Sequence, residues 1–265
     1  MIYNYLVYEA NKSLGQNFLL DPMIAEKLID LLNVASGDVV VEIGAGLGAL
    51  TQRLADKMDY TDFTAYALEI DSRFIPKLQA MFVTRQKLFV EETDVLKWLP
   101  EFETEKPLKI LGALPFYITS PIIHTIVKMK VRPQTVVLVV QKEVGQKLAR
   151  SAPDSSYLSV FVQTFFNVEY VGDIPRDQFD PKPNVDGGIL LLTKRADADS
   201  TTDLRKYEGF LHRGFANPRK MLNKAFSKED LTNAGIDPTL RPEALDCDRW
   251  FAFYRHMQSH GDGLQ

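Results

Sequence analysis

The fold of this chain is decided by the stretch Val39-Val40-Val41-Glu42-Ile43-Gly44-Ala45-Gly46-Leu47-Gly48. Four of its first five positions are apolar, which predicts a short buried strand, and the glycines that follow end it. Beyond Ala49, Leu50 and Leu54 lie four residues apart, on one face of a helix. A strand, a glycine turn and a helix start together predict a site where a ligand approaches backbone N–H groups near a positive helix end.

The glycine spacing indicates which ligand this turn suits. Gly44, Gly46 and Gly48 give Gly-x-Gly-x-Gly, whereas the dinucleotide-binding fingerprint is Gly-x-Gly-x-x-Gly. The third glycine of a pyrophosphate site is therefore missing. A shorter turn suits a ligand without a pyrophosphate, such as S-adenosylmethionine, and a tight loop with no ligand is the alternative.

Length and composition predict one large domain with a small appendage. The chain has 265 residues, of which 45% are hydrophobic and 25% charged, as in ordinary globular proteins. We predict no membrane span and no signal peptide, because no apolar run is long enough and residues 1–10 lack a positive n-region. The single cysteine, Cys247, excludes an internal disulfide and a cysteine-based zinc cluster, and it fits a reducing cytoplasm. We expect no metal, although His256 and His260 have ligand spacing.

Strand and helix patterns alternate along the chain after a first helix that Asp21 caps and Pro22 begins. The predicted strands cover residues 39–43, 63–70, 87–90, 108–111, 135–140, 157–171 and 188–193. This alternation predicts an α/β fold of the Rossmann-like type, with a mostly parallel sheet and helices on both faces.

Ligands on such sheets bind outside the carboxyl ends of the strands, where Gly44, Glu69, Asp94 and Ala113 all stand. Glu69 fits a carboxylate that accepts both hydroxyls of a ribose, and a solvated strand-end acid is the alternative. Asp94 fits an acceptor for an adenine amino group with Val95 beside the ring, and a helix N-cap is the alternative.

Two loops combine prolines with aromatic residues. The first, residues 114–121, directly follows a buried strand, and its Pro115 gives a rigid, outward carbonyl. Phe116 or Tyr117 beside it fits stacking on a flipped base, with a place in the core as the alternative. The second loop, residues 179–185, begins at Phe179 and contains Pro-x-Pro, for which a stiff connector is the alternative.

The C-terminal part is predicted to be helical. A polar stretch after Arg195 predicts a linker, which divides the chain into domains 1–195 and 196–265. Helices are predicted over 204–215, 219–226, 231–234 and 242–257. Basic residues dominate here and alternate with aromatic ones, although the whole chain has a net charge of −4. A solvated helix face is the ordinary interpretation, and a phosphate-contact surface that includes Arg219, Lys220 and Lys224 is the functional one.

These motifs, in this order, resemble the KsgA family of small-subunit ribosomal RNA adenine N6-dimethyltransferases. The resemblance runs from Asn11 to Tyr254. Its landmarks are KSLGQNFL at 12–19, EIGAGLGALT at 42–51, LEID at 68–71, LPF at 114–116, VQKEV at 140–144, FDPKPNVD at 179–186 and RPEAL at 241–245.

The resemblance implies a seven-stranded methyltransferase domain with a small C-terminal helical domain that recognises rRNA. S-adenosylmethionine would be the donor and S-adenosylhomocysteine the product, with no metal. The acceptor would be N6 of two adjacent adenosines near the 3′ end of small-subunit rRNA, in an immature subunit. We expect a cytoplasmic monomer that touches no membrane.

Motif matching assigns roles to individual residues. Asn17 and Leu19 would hold the methionine end of the donor above Gly44, Glu69 would bind the ribose and Asp94 the adenine. The remaining donor-binding, catalytic and substrate-binding positions are Gly46, Ile70, Val95, Ala113, Leu114, Pro115, Phe116, Phe179, Arg219, Lys220 and Lys224.

Position 113 departs from the family pattern. The family has Asn or Asp before Leu/Ile-Pro-Tyr/Phe, and this chain has Ala113. The Asn oxygen and the proline carbonyl would accept hydrogen bonds from the target amine, and losing one such contact costs on the order of 10²–10³ in rate. The sequence therefore predicts donor binding with impaired methyl transfer, through either deliberate replacement or drift of the lineage. Gly187 is a milder departure, since a serine is common there.

Two other functions are consistent with these residues. A non-catalytic assembly factor that docks on immature small subunits fits Ala113, whereas the complete donor pocket favours an enzyme. An Erm-type enzyme acting on large-subunit rRNA fits less well, because such proteins are generally strongly basic and this chain has a pI near 5.7.

Overall fold

The computed structural model of the protein describes residues 9–198 and 201–259, except for the side chain of Lys12. The strands are β1 Phe18–Leu19, β2 Val39–Ile43, β3 Thr64–Glu69, β4 Leu88–Glu92, β5 Leu108–Ala113, β6 Thr135–Gln141, β7 Phe166–Ile174, β8 Phe179–Asp180 and β9 Gly187–Lys194. The helices are α1 Pro22–Leu32, α2 Ala49–Lys57, α3 Ile75–Met81, α4 Val95–Glu101, α5 Thr119–Lys128, α6 Lys142–Ala149, α7 Tyr157–Gln163, α8 Leu204–Phe215, α9 Lys228–Asn233 and α10 Cys247–Ser259.

Seven strands form one sheet in the order β4-β3-β2-β5-β6-β9-β7, and β1 pairs with β8 in a separate antiparallel ribbon. The pairings from β4 through β6 are all parallel. Parallel strands joined by helices need crossover connections, so the carboxyl ends of β2, β3, β4 and β5 lie at one edge. The predicted Rossmann-like fold is confirmed.

Burial explains why the central strands form. All five residues of β2 are buried, as expected for a strand covered on both faces. Asp21 accepts a hydrogen bond from Met23 N at the start of α1, and Pro22 is its first residue, as the sequence predicts.

A buried ion pair lies at the opposite end of the sheet from the strand tips. Lys109 Nζ, at the start of β5, is 2.9 Å from Asp38 Oδ2, and both side chains are almost fully buried. Lys109 also donates to the carbonyl of Asn33, the residue that ends α1, and Asp38 accepts from Ala35 N. This network connects the end of α1, the residue before β2 and the start of β5.

The chain divides into two compact units, Met1–Lys142 with Val171–Leu191, and Glu143–Tyr170 with Leu192–Gln265. The predicted boundary between 195 and 196 is near the last of these divisions, between 191 and 192, but the second unit also contains residues 143–170. The reason is packing within that unit, where the ring of Tyr157 stacks on His212 at 4.1 Å and Phe161 lies 6.3 Å from Tyr207.

Three predicted elements are wrong, and one of them, the helix over 242–257, is divided into the 3₁₀ turn Pro242–Ala244 and the helix α10. Residues 157–171 were expected to be one strand, but 157–163 form α7 and only the part from Phe166 is a strand. Ser156 and Ser159 form a reciprocal capping box that starts the helix. The predicted helix over 219–226 is reduced to a 3₁₀ turn, Leu222–Lys224.

The second unit has an aromatic core. Tyr207, Phe210, Phe226, Trp250 and Phe253 are all at most 3% exposed. Phe210 and Phe226 therefore pack in this core, and the idea that they alternate with basic residues on an RNA-contacting surface is wrong for these two rings. Within the described residues, no helix is long and apolar enough to cross a membrane.

Candidate functional site

A cavity of about 280 Å³ lies at the carboxyl ends of β2, β3 and β5 in the first unit. The predicted donor-binding residues among its lining are Asn17, Leu19, Gly44, Gly46, Glu69, Ile70, Asp94, Val95 and Ala113, and Pro115 of the catalytic loop joins them. The structure thus brings all nine predicted donor-binding positions to one cavity.

Glu69 is the most constrained carboxylate of this cavity. Its side chain is 6% exposed, so the alternative of a solvated strand-end acid is wrong. Oε2 accepts from Gly46 N at 2.7 Å, and Oε1 accepts from Ile70 N at 2.9 Å and Asp71 N at 2.8 Å. A carboxylate has about four acceptor positions, so these bonds leave capacity for about one further donor. Two ribose hydroxyls would therefore share acceptor positions with the backbone.

Glu42 is a second buried carboxylate at the cavity, and sequence analysis gave it no role. Oε2 accepts from Thr51 Oγ1 at 2.7 Å, whereas Oε1 is buried without a hydrogen-bond partner. Burial, with a smaller contribution from the nearby Glu69, raises the pKa of Glu42 to about 7, even though the hydrogen bond from Thr51 lowers it. Burial also raises the pKa of Glu69. A cation in the cavity would stabilise the ionised form of both groups.

The N-terminal loop is fastened to the end of β3. Gln16 Nε2 donates to Asp71 Oδ2 at 2.7 Å, and Arg73 forms an ion pair with the same carboxylate at 2.6 Å. The Arg73 and Gln16 bonds hold the pKa of Asp71 at about 2. Asn17 Nδ2 donates to Gly15 O, which leaves Oδ1 as the acceptor that Asn17 can offer a ligand.

Two glycines let this loop lie close to its neighbours. A Cβ at Gly15 (φ +58°) would lie 2.9 Å from the ring of Tyr117, and one at Gly46 (φ +53°) would lie 3.3 Å from the ring of Phe18. Both glycines have left-handed backbone conformations, which L side chains rarely adopt. The glycine turn and the N-terminal loop therefore need glycine for space as well as for conformation.

Asp94 is the helix N-cap that the sequence offered as one alternative, and its position at the cavity leaves the other alternative open. It is the N-cap of α4, where Oδ1 accepts from Leu96 N at 3.0 Å, and it also lines the cavity. Val95 lies beside it as the first residue of the helix. Capping uses one carboxylate oxygen and leaves Oδ2 as an acceptor for a ligand, with Lys97 Nζ 4.0 Å away.

The catalytic loop begins where β5 ends at Ala113. Leu114 is buried and bonded to Val139 O, so it anchors the loop. Pro115 lines the cavity, but its carbonyl accepts from Ile118 N at 3.1 Å in a 3₁₀ turn. The expected outward carbonyl is thus already in one hydrogen bond and has one lone pair left.

The aromatic residues of the two proline loops meet each other. The rings of Phe116 and Phe179 pack edge to face with centroids 6.5 Å apart. Phe179 is 4% exposed, so a base could stack on it only after the ring moved. A Cβ at Gly187 would lie 3.0 Å from that ring, which explains why glycine at this position suits the buried Phe179. Tyr117 is 60% exposed, so its placement in the core was the wrong alternative.

The predicted basic residues lie in the second unit. Arg219, Lys220 and Lys224 are all exposed, around the 3₁₀ turn at 222–224. Arg213 instead packs over the ring of Phe226 at 4.7 Å and donates to Ala225 O. In the described part of the chain, no group of three His, Cys, Asp or Glu side chains could hold a metal ion. His260 of the histidine pair lies outside the described residues.

Sequence reasoning assigned no role to two residues that shape the cavity, Gln16 and Glu42, which both line it. Only Glu42 carried a signal in the sequence, because a lone acid in an otherwise apolar strand needs a reason to be buried.

The family described as "Ribosomal RNA adenine dimethylase" matches residues 7–256. The chain belongs to this family. Its relatives include proteins named "Ribosomal RNA small subunit methyltransferase A" from Sulfurihydrogenibium sp. (strain YO3AOP1) and Bacillus mycoides (strain KBAB4). The first is 33% identical, over 92% of this chain and 94% of the relative. The second is also 33% identical, over 92% of this chain and 89% of the relative.

Solved structures support the same fold for this adenine dimethylase family member. A dimethyladenosine transferase from Plasmodium falciparum has a TM-score of 0.78 at 22% identity, over 92% of this chain and 98% of that one. The 23S rRNA methyltransferase ErmE has a TM-score of 0.73 at 23% identity, over 91% of this chain and 100% of that one. Members of the family are S-adenosylmethionine-dependent rRNA adenine dimethyltransferases, so the predicted family and enzyme class are confirmed.

Proposed function

We propose that this protein methylates N6 of two adjacent adenosines near the 3′ end of small-subunit rRNA, within an immature subunit, and that Ala113 impairs the transfer. The observation that supports this most directly is one cavity lined by Gly44, Glu69, Asp94 and Pro115. The glycine turn and the two acids are what a donor nucleoside requires, and the proline loop is what a flipped purine requires.

The residues of the cavity fit S-adenosylmethionine. The donor carries a sulfonium and an ammonium, and Glu42 offers an unpartnered, buried carboxylate oxygen at the same cavity. Glu69 and Asp94 supply acceptors for ribose hydroxyls and the adenine amino group, and Asn17 Oδ1 supplies one for the methionine end. When bound, the donor provides an electrophilic methyl group.

The acceptor side depends on the loop after β5. An adenine amine is a poor nucleophile because its lone pair is delocalised into the ring. Pro115 O can accept one N–H of that amine through its remaining lone pair, and the half-buried Phe116 is the next residue of the loop. Ala113 offers only a methyl group where Asn would accept the second N–H. The loop therefore positions the adenine but supplies only one of the two acceptors that would activate its amine.

The protein is proposed to act in the cytoplasm as a monomer. Family relatives named for the small ribosomal subunit support that substrate over large-subunit rRNA. The exposed basic residues Arg219, Lys220 and Lys224 are proposed to contact rRNA phosphates.

Restoring the amide tests the proposal. The variant Ala113→Asn should bind S-adenosylmethionine as the unchanged protein does, within about threefold by calorimetric titration. It should also transfer labelled methyl groups to unmodified small subunits faster by a factor on the order of 10²–10³. Ala113→Leu is the matched control, because it adds volume without an acceptor and should give no gain.

The same assay decides between the alternatives. If Ala113→Asn stays inert while donor and subunits still bind, the non-catalytic assembly factor is the better description. Transfer to large rather than small subunits would instead favour the Erm-type activity.

A further inference from the structure

Four aromatic side chains form a cluster at the β4 edge of the sheet, and we call Tyr66, Phe89, Trp98 and Phe102 the aromatic patch. The rings of Tyr66 and Phe89 stack with centroids 5.3 Å apart, and those of Trp98 and Phe102 stack at 4.4 Å. Tyr66 joins the two pairs, at 5.6 Å from Trp98 and 5.4 Å from Phe102. The patch is thus one continuous aromatic surface.

The aromatic patch reaches solvent at the end of the sheet. Val41, Tyr66 and Phe89 are register partners across β2, β3 and β4, so they share one face. Val41 is fully buried, Tyr66 is partly exposed and Phe89 is 44% exposed. Trp98 of α4 and Phe102, which directly follows that helix, are also partly exposed. Contiguous exposed apolar surface commonly marks an interaction site.

The donor cavity does not account for this surface. None of the four aromatic residues lines that cavity, although α4 contributes Val95 and Leu96 to it. The patch therefore offers a separate surface of the first unit.

Three glutamates lie beside the aromatic patch. Glu91 accepts from Trp98 Nε1 at 2.8 Å, and Glu101 lies three residues beyond Trp98, on the same side of α4. Glu103 follows Phe102 and pairs with Lys130 at 2.7 Å. Negative charge predominates next to the exposed rings.

We propose that the aromatic patch binds a basic polypeptide segment, in which arginine side chains stack on the rings and pair with the glutamates beside them. Aromatic ring faces attract cations, most strongly over Trp, and carboxylates add charge complementarity. A guanidinium suits both contacts because it is planar and always charged. Nucleic acid is disfavoured, since the same carboxylates repel phosphates.

Trp98 allows this interaction to be measured directly. The chain has two tryptophans, and Trp250 is fully buried, so a ligand at the patch should change the fluorescence of Trp98 alone. The full-length protein would be titrated with a synthetic peptide of alternating arginine and leucine. A peptide of alternating glutamate and leucine and a single-stranded RNA oligonucleotide serve as comparison ligands.

Two variants test which groups bind the peptide. Phe89→Ser removes the most exposed ring, and the triple variant Glu91→Gln, Glu101→Gln and Glu103→Gln removes the charges of the three glutamates beside the patch. Each should weaken binding of the arginine peptide about tenfold, consistent with one lost cation–π contact or several surface charges. The matched control, Glu26→Gln with Glu169→Gln and Glu229→Gln, should bind as the unchanged protein does. Calorimetric S-adenosylmethionine binding checks that each variant is folded.

The outcomes are distinct. Selective, patch-dependent binding of the arginine peptide supports the proposal. Binding that is unchanged in both patch variants, equally weakened in the control, or equally strong for the RNA would overturn it. A change of Trp98 fluorescence with protein concentration alone would overturn it too, because a second copy of this chain would then cover the patch.

Discussion

Glu42 is a carboxylic acid held within an apolar strand, and its consequences follow from burial. One oxygen is bonded to Thr51, and the other has no partner. Desolvation disfavours the ionised form, which is why the pKa rises to about 7. Near neutral pH a cation bound nearby would therefore shift Glu42 towards its ionised form.

This pKa makes the stability of the protein depend on pH. A raised pKa in the folded state means that the folded protein holds the proton more tightly than the unfolded chain. The free energy of unfolding should therefore fall as pH rises from about 4.5 to about 7. The change should approach about 3 kcal/mol at about 1.4 kcal/mol per pKa unit.

Glu42→Gln should remove most of this fall, because the amide cannot ionise and still accepts from Thr51. The measurement is urea unfolding at pH 5 and pH 8, above the range in which Asp71 titrates. Glu91→Gln, which replaces a partly exposed acid of the edge strand β4, is the control and should keep the fall. An equally steep fall in Glu42→Gln would contradict the assignment, although Glu69 contributes a smaller part.

At the scale of elements, strands and their carboxyl ends were predictable, and helices under tertiary control were not. The run Val39–Ile43 is apolar because both faces of β2 are covered, so its pattern is visible in the sequence. The run that begins at Tyr157 is equally apolar but forms a helix, because a serine capping box and packing on α8 and α10 decide its conformation. Site residues fixed by long-range bonds, such as Gln16 to Asp71, carried no local signal.

The Lys109–Asp38 pair should be important for the stability of the sheet. Lys109→Ala leaves the Asp38 carboxylate buried without its cation, which costs about 3–5 kcal/mol in comparable sites. Thermal and urea unfolding would measure the loss. Lys130→Ala, from an exposed pair with Glu103, should cost less than about 1 kcal/mol. A similar loss of stability in both variants would mean that the buried pair contributes no more to stability than the exposed pair.

At the scale of the whole molecule, charge is distributed unevenly. The chain has a net charge of −4, yet Arg219, Lys220 and Lys224 are exposed together in the second unit, while glutamates lie beside the aromatic patch in the first. Composition predicted the acidic average and the basic run, but not the acidic aromatic surface, because Tyr66 and Phe89 meet only through strand pairing.

Neutralising the three basic residues should weaken binding to small ribosomal subunits and reduce its salt dependence. For Arg219→Gln, Lys220→Gln and Lys224→Gln together, the slope of log K against log salt should fall by about two to three, since each phosphate contact contributes about 0.7–0.9. Filter binding at several salt concentrations measures this. The control Lys27→Gln, Lys57→Gln and Lys87→Gln should keep the slope, and an unchanged slope in the first variant would exclude these residues from the contact.

Because Gly15 has no side chain, the segment proposed to bind the donor can lie against the loop proposed to bind the target base. Because Tyr117 occupies the space that a Cβ would need, the segment that carries Asn17 and the loop that carries Pro115 fit face to face. Any larger residue at position 15 would push on both at once. A substitution at position 15 is therefore expected to disturb the donor side and the acceptor side of the cavity together.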